Sequence, residues 1–205
     1  MANPPSNVAF SPAVKAVQAA RGSRSIYARA ELPGNEWPTT IDDDLAAFLA
    51  EQTTCFLASA SADGQPYIQH RGGPPGFLRV LDEHRIAWAD FRGNRQYVTT
   101  GNLSENPRVC LFLIDYAHRA RIKVWGTARV IDDAAFARTL AVPGYPGKIE
   151  QAIELTVSAW DANCQQHIPQ LVDVRDVAGV LAERDALRTK LAALEAELSS
   201  LRSPR

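Results

Sequence analysis

Between Phe56 and Val130 the chain falls into short apolar runs of strand length, each bounded by turn-forming residues. They read Phe56–Ser61, Pro66–Arg71, Gly76–Leu81, Arg85–Asp90, Val109–Ile114 and Arg121–Trp125. Six short strands at this spacing predict a barrel or sandwich. The first two are separated by Ala62-Asp63-Gly64-Gln65, and Asp-Gly tolerates the positive φ angles of a tight turn, so Phe56–Arg71 reads as a hairpin.

Helical periodicity flanks these runs. Ser11–Arg21 opens with a Ser N-cap and Pro at the first helical position, sets Val14 and Val17 on one face for docking, and stops at Gly22. A Pro- and Gly-containing loop, Leu32–Pro38, leads to Thr40–Ala50, which carries acids in its first turn and Leu45, Phe48 and Leu49 on one side. Gln96–Leu103 and Asp132–Leu140 predict further helices, and Ala152–Ala159 alternates like a strand with one wet face. The fold class is α+β, mainly β.

From Val177 the pattern changes. Val177, Val180, Arg184, Leu187, Leu191, Leu194, Leu198 and Leu201 step by three and four residues alternately, the a/d seam of a heptad repeat. In that register Glu183 pairs with Arg188, Lys190 with Glu195 and Glu197 with Arg202 across a parallel homodimer. The same amphipathic helix could instead fold back on its own barrel. The chain thus divides into a leader over 1–39, a barrel domain over 40–172 and an amphipathic helix over 173–205.

Charge narrows the function. A net charge of −1 and a pI near 6.4 offer no general attraction for polyanions, so neither nucleic acid nor a membrane surface is expected as a partner. The N-terminus lacks a signal-like pattern and no run reaches the roughly 18 apolar residues of a membrane span, so a cytoplasmic protein is expected. Cys55, Cys110 and Cys164 suit free thiols in a reducing compartment, the first two within core runs.

Three segments carry candidate chemistry. In Arg119–Trp125 the strand period puts Arg119, Arg121 and Lys123 on one face, either an anion site or a solvated exterior. Arg92-Gly93-Asn94-Arg95-Gln96 follows a strand and precedes a helix, where free amides and two guanidinium forks suit a phosphate; a polar turn capped by Asn94 would need no ligand. Gln69-His70-Arg71-Gly72-Gly73 adds glycines that permit close ligand approach, or simply a loop between strands. Cys164 and His167 are too few for a metal site, and no metal is expected.

The order Phe56-Leu-Ala-Ser-Ala, Asp63-Gly-Gln-Pro, Ala89-Asp-Phe-Arg-Gly-Asn-Arg-Gln, Asn106-Pro-Arg-Val and Lys123-Val-Trp-Gly-Thr-Ala resembles the pyridoxamine 5′-phosphate oxidase-like FMN-binding split barrels, over roughly residues 40 to 160. The resemblance implies a six-stranded antiparallel split β-barrel with peripheral helices, forming a homodimer with FMN in clefts made by both subunits. It places the cofactor on Gln69, His70, Arg71, Ala89, Asp90, Asn94, Arg95, Gln96 and Arg121.

The resemblance stops short of the Arg-x-His segment that grips pyridoxal in true oxidases; this chain has Trp160–Pro169 there, so vitamin B6 oxidation is not expected. Trp160 and Asn163 could cover the flavin ring, or Trp160 could be core. The implied function is an FMN-dependent oxidoreductase acting on a small molecule. The alternative is a non-catalytic flavin, deazaflavin or haem binding protein with His70 or His167 as axial ligand.

Overall fold

The computed structural model describes residues 3–163 and 165–202; Cys164 and the side chains of Asn163, Arg175, Asp176, Ser200, Leu201 and Arg202 lie outside what it describes. Tertiary contacts divide the chain into two units, Met1–Asp115 with Ala120–Gln166, and Tyr116–Arg119 with His167–Arg205.

In the first unit, 3₁₀ turns at Pro5–Val8 and Ala28–Glu31 flank α1 (Pro12–Ala20) and α2 (Arg24–Tyr27). Then follow α3 (Asp43–Glu51), β1 (Thr54–Ala60), β2 (Pro66–Gly72), β3 (Arg79–Asp82), β4 (Arg85–Phe91), α4 (Val98–Glu105), β5 (Arg108–Asp115), β6 (Ala120–Ile131), α5 (Ala134–Thr139) and β7 (Ile149–Asn163). All pairings are antiparallel, in the order β2-β1-β5-β6-β7-β4-β3.

The expected six strands are therefore seven among the described residues, and the sheet is open, with β2 and β3 as its edges. The extra member is β7, which is central: it pairs with β6 on one side and β4 on the other. Sequence alternation found its middle but gave no hint that its ends run on to 15 residues.

Burial follows the strand period. Cys55, Leu57 and Ser59 of β1 are buried, and Cys55 and Leu57 join Leu111, Leu113, Val124 and the α3 residues Leu45 and Leu49 in the main core. β4 is buried from Ile86 to Asp90, because α5 covers its second face with Ala137 and Leu140 against Ala87, Ala89 and Ala152. Asp42 caps α3, its Oδ1 accepting from the Leu45 amide at 2.9 Å, and Asp133 caps α5. At Gly126 the β6–β7 register shifts, and a Cβ there would stand 2.0 Å from the Thr156 carbonyl oxygen, so only glycine fits the bulge.

The leader docks differently from expectation. Ser11 caps α1 as read, but Val14 and Val17 are exposed, and the helix buries Gln18 instead. Attachment runs through a chain of rings, Tyr27–Phe10–Trp37–Trp125, ending in a stack of Trp37 on Trp125 at 5.1 Å and 16°. Trp160 packs against the main core and its indole N–H donates to the Thr40 carbonyl at 2.8 Å.

In the second unit the Leu171 amide donates to the Tyr116 carbonyl at 3.3 Å, and α6 (Val174–Arg202) continues for 29 residues with Leu187, Leu191 and Leu194 exposed.

Candidate functional site

Edge strand β2 sends Gln69 and Arg71 to one face and His70 to the other, as a strand must. Arg71 Nη1 reaches Asp90 Oδ1 on β4 at 2.5 Å, both side chains largely buried. Gln151, the cross-strand partner of Asp90 on β7, donates to Asp90 Oδ2 at 2.9 Å and to Thr100 Oγ1 at 3.1 Å. Thr99 Oγ1 in turn donates to Gln69 Oε1 at 2.8 Å, tying the first turn of α4 to β2.

These side chains line two adjoining cavities. One, about 50 Å³, is bordered by Gln69, Arg71, Asp90, Asn94, Arg95 and Glu150 among others. The second, about 230 Å³, shares Gln69, Arg71, Asp90 and Gly93 and adds Trp88, Ala89 and Arg92. Arg71 Nε and Trp88 Nε1 are buried yet have no hydrogen-bond partner among the described residues. Unmatched buried donors of this kind are costly unless an acceptor completes them.

The loop between β4 and α4 is held tightly. Asn94 Oδ1 accepts from the Gln96 amide at 3.2 Å, an Asx turn. Arg95 and Tyr97 have φ of 62° and 53°, left-handed values uncommon outside glycine. The Tyr97 hydroxyl donates to Glu150 Oε1 at 2.7 Å and accepts from Arg95 Nε at 3.3 Å, fastening the loop to β7. That hydroxyl pushes the Arg95 guanidinium pKa up, keeping it a fixed cation.

Several expectations are corrected by these positions. α4 starts at Val98, after a left-handed Tyr97, and not at Gln96; Gln96 borders neither cavity. His70 borders the larger cavity, but its ring lies edge-on to Phe56 at 5.6 Å with Nε2 2.6 Å from Thr54 Oγ1, on the outer face. Gly73 leaves room for Phe77, whose Cβ is 2.7 Å from where a Gly73 Cβ would stand. Arg119 precedes β6 in a left-handed conformation (φ 55°), outside the cationic face expected of it. Arg121 and Lys123 do share a face, with the acidic Asp161 opposite Lys123 on β7, so that face is not of one sign. Arg121 lines neither cavity, and its Nε is buried without a partner among the described residues.

Thr99, Thr100, Tyr97, Glu150 and Gln151 were not singled out by sequence pattern. Two adjacent threonines opening a helix, and a polar residue two before the alternating run Ala152–Ala159, are the faint signals that point to them. The donor set of Arg71, Arg92, Arg95, indole N–H, amide and hydroxyls suits an anionic, hydroxyl-rich ligand such as a flavin nucleotide. Among the described residues no group of three or more His, Cys, Asp or Glu could hold a metal, and no helix is long and apolar enough to cross a membrane.

A family model described as pyridoxamine 5′-phosphate oxidase matches residues 41–164. Among solved structures, HupZ of Group A Streptococcus is similar in fold, with a TM-score of 0.50 and 16% identity over 64% of this chain and 99% of that one. A Clostridium acetobutylicum protein related to general stress protein 26 of B. subtilis, described as of the pyridoxinephosphate oxidase family, gives a TM-score of 0.43 and 14% identity over 64% and 92% of the two chains. No curated protein matches the chain.

Proposed function

The chain belongs to the pyridoxamine 5′-phosphate oxidase family, and from that premise we propose that it is an FMN-binding oxidoreductase acting on a small molecule. The observation that carries this reading is that Arg71 Nε and Trp88 Nε1, buried and without a hydrogen-bond partner among the described residues, belong to side chains lining adjoining cavities bordered by Arg92 and Arg95. An FMN phosphate and ribityl chain would complete those donors.

In this reading Asp90 holds the Arg71 guanidinium in place while Arg71 keeps Nε for the ligand. Arg95 and the Gly93 and Asn94 segment face the phosphate, and Thr99 fixes Gln69 so that its amide N–H₂ is free to donate to the ribityl hydroxyls. When bound, FMN would supply hydride or electron transfer, and the protein would orient the substrate against it. Pyridoxamine phosphate is not the proposed substrate, since Trp160–Pro169 stands in place of the family's pyridoxal-gripping segment. Arg121, which borders neither cavity, fits a cleft completed by a second copy of the chain. Free thiols at Cys55 and Cys110 fit a cytoplasmic setting. A haem alternative would call on His70 or His167, but His70 Nε2 already stands 2.6 Å from Thr54 Oγ1.

The visible spectrum of the purified protein tests the proposal. Two flavin bands, with FMN released on denaturation, are expected. A colourless protein that fails to quench FMN fluorescence, or one with a single Soret band, contradicts it.

A further inference from the structure

α6 runs unbroken from Val174 to Arg202, and Leu191 and Leu194 in the middle of its apolar stripe are 57% and 62% exposed. A helix with such a stripe gains most of its stability from packing that face, not from intrinsic propensity. The stripe keeps a strict seven-residue repeat, with Val177, Arg184, Leu191 and Leu198 at a and Val180, Leu187, Leu194 and Leu201 at d. A repeat of seven is the signature of a left-handed supercoil with another helix.

We propose that α6 pairs with α6 of a second copy as a parallel, in-register coiled coil. The flanking charges select this arrangement over its alternative. In the parallel pair, Glu183 meets the partner's Arg188, Lys190 meets the partner's Glu195 and Glu197 meets the partner's Arg202, each contact repeated by symmetry. In the antiparallel pair that matches every a layer to a d layer, g faces g and e faces e. Lys190 would then meet the partner's Lys190, Glu183 the partner's Glu197 and Arg188 the partner's Arg188, all repulsive. An antiparallel pair could escape these clashes only by slipping a full heptad and losing that much of the seam.

Arg184 is the one polar residue at an a position. Its guanidinium is turned to the neighbouring Asp185, with Nε 2.9 Å and Nη2 2.8 Å from Oδ1, which leaves the aliphatic stem to the seam. A single polar a residue costs stability but fixes register and strand number. This inference stands apart from the flavin proposal, because it rests on the heptad pattern and exposure of α6 alone.

Disulfide trapping in the full-length chain tests it. Leu194→Cys, at a d position, is compared with Ala196→Cys, at the outward f position, with the wild-type chain as background and links mapped by peptide mass. Leu194→Cys should form a symmetric link roughly tenfold faster than Ala196→Cys, because only seam positions approach to disulfide distance. Adding Glu183→Lys with Glu197→Lys to one Leu194→Cys chain, and Arg188→Glu with Arg202→Glu to another, should abolish the link in each alone and restore it between the two when mixed. Equal rates at the two positions, or links that ignore the charge reversals, would overturn the proposal.

Discussion

Arg71 on β2 and Asp90 on β4 are joined at 2.5 Å although β1, β5, β6 and β7 lie between their strands in the sheet. The sheet therefore curls until its β2 edge faces β4, and the ion pair spans the opening that the candidate cavities occupy. With side chains only 14% and 10% exposed, both charges are largely withdrawn from water and each compensates the other.

Removing one partner is expected to cost about 3–5 kcal/mol, the scale for stranding a buried charge. In urea unfolding, Asp90→Ala should show that loss, and Arg71→Met combined with Asp90→Leu should be closer to wild type than either single change. Additive losses would mean that the pair does not couple the two strands.

Arg95 is a different case: exposed, in a left-handed conformation and facing the cavity. Arg95→Ala should leave the unfolding free energy within about 0.5 kcal/mol of wild type, as surface changes do. It should weaken FMN by about 1.5–3 kcal/mol, the worth of a hydrogen bond to a charged group. Unchanged affinity in a fluorescence titration would assign Arg95 to the solvated surface.

What could be read from the chain, and what could not, follows from the range of each signal. The β1–β2 hairpin, the cap at Ser11 and the inward Leu45 and Leu49 rest on interactions within a few residues, and pattern finds them. The centrality of β7 and the meeting of Arg71 with Asp90 are set by pairing between distant segments, which periodicity does not encode. Gln69, Arg71, Asp90, Asn94 and Arg95, which stand out in the sequence by type and spacing, line one cavity. Their supports, Thr99, Thr100 and Gln151, are ordinary polar residues that gain meaning only from their partners.

Cys55 makes stability depend on alkaline pH. Burial pushes its thiol up to about 12 from an ordinary value of 9.0. A folded-state value above the unfolded one gives stability that is full below pH 9.0 and falls as pH rises toward about 12. The slope should be about 1.4 kcal/mol per pH unit for this one group. Unfolding free energies at pH 8 and pH 10.5, compared between wild type and Cys55→Ala, should show a steeper alkaline decline in wild type; parallel curves would contradict it.

The central claim is that the arginine-lined cavity between β2, β4 and α4 binds FMN through its phosphate. Titrating the apoprotein with FMN and with riboflavin, which lacks only that phosphate, tests this most directly. The account predicts that riboflavin binds at least about a hundredfold more weakly, the equivalent of two or more charge-assisted hydrogen bonds. Equal affinity for the two flavins, or no binding of either, would contradict it.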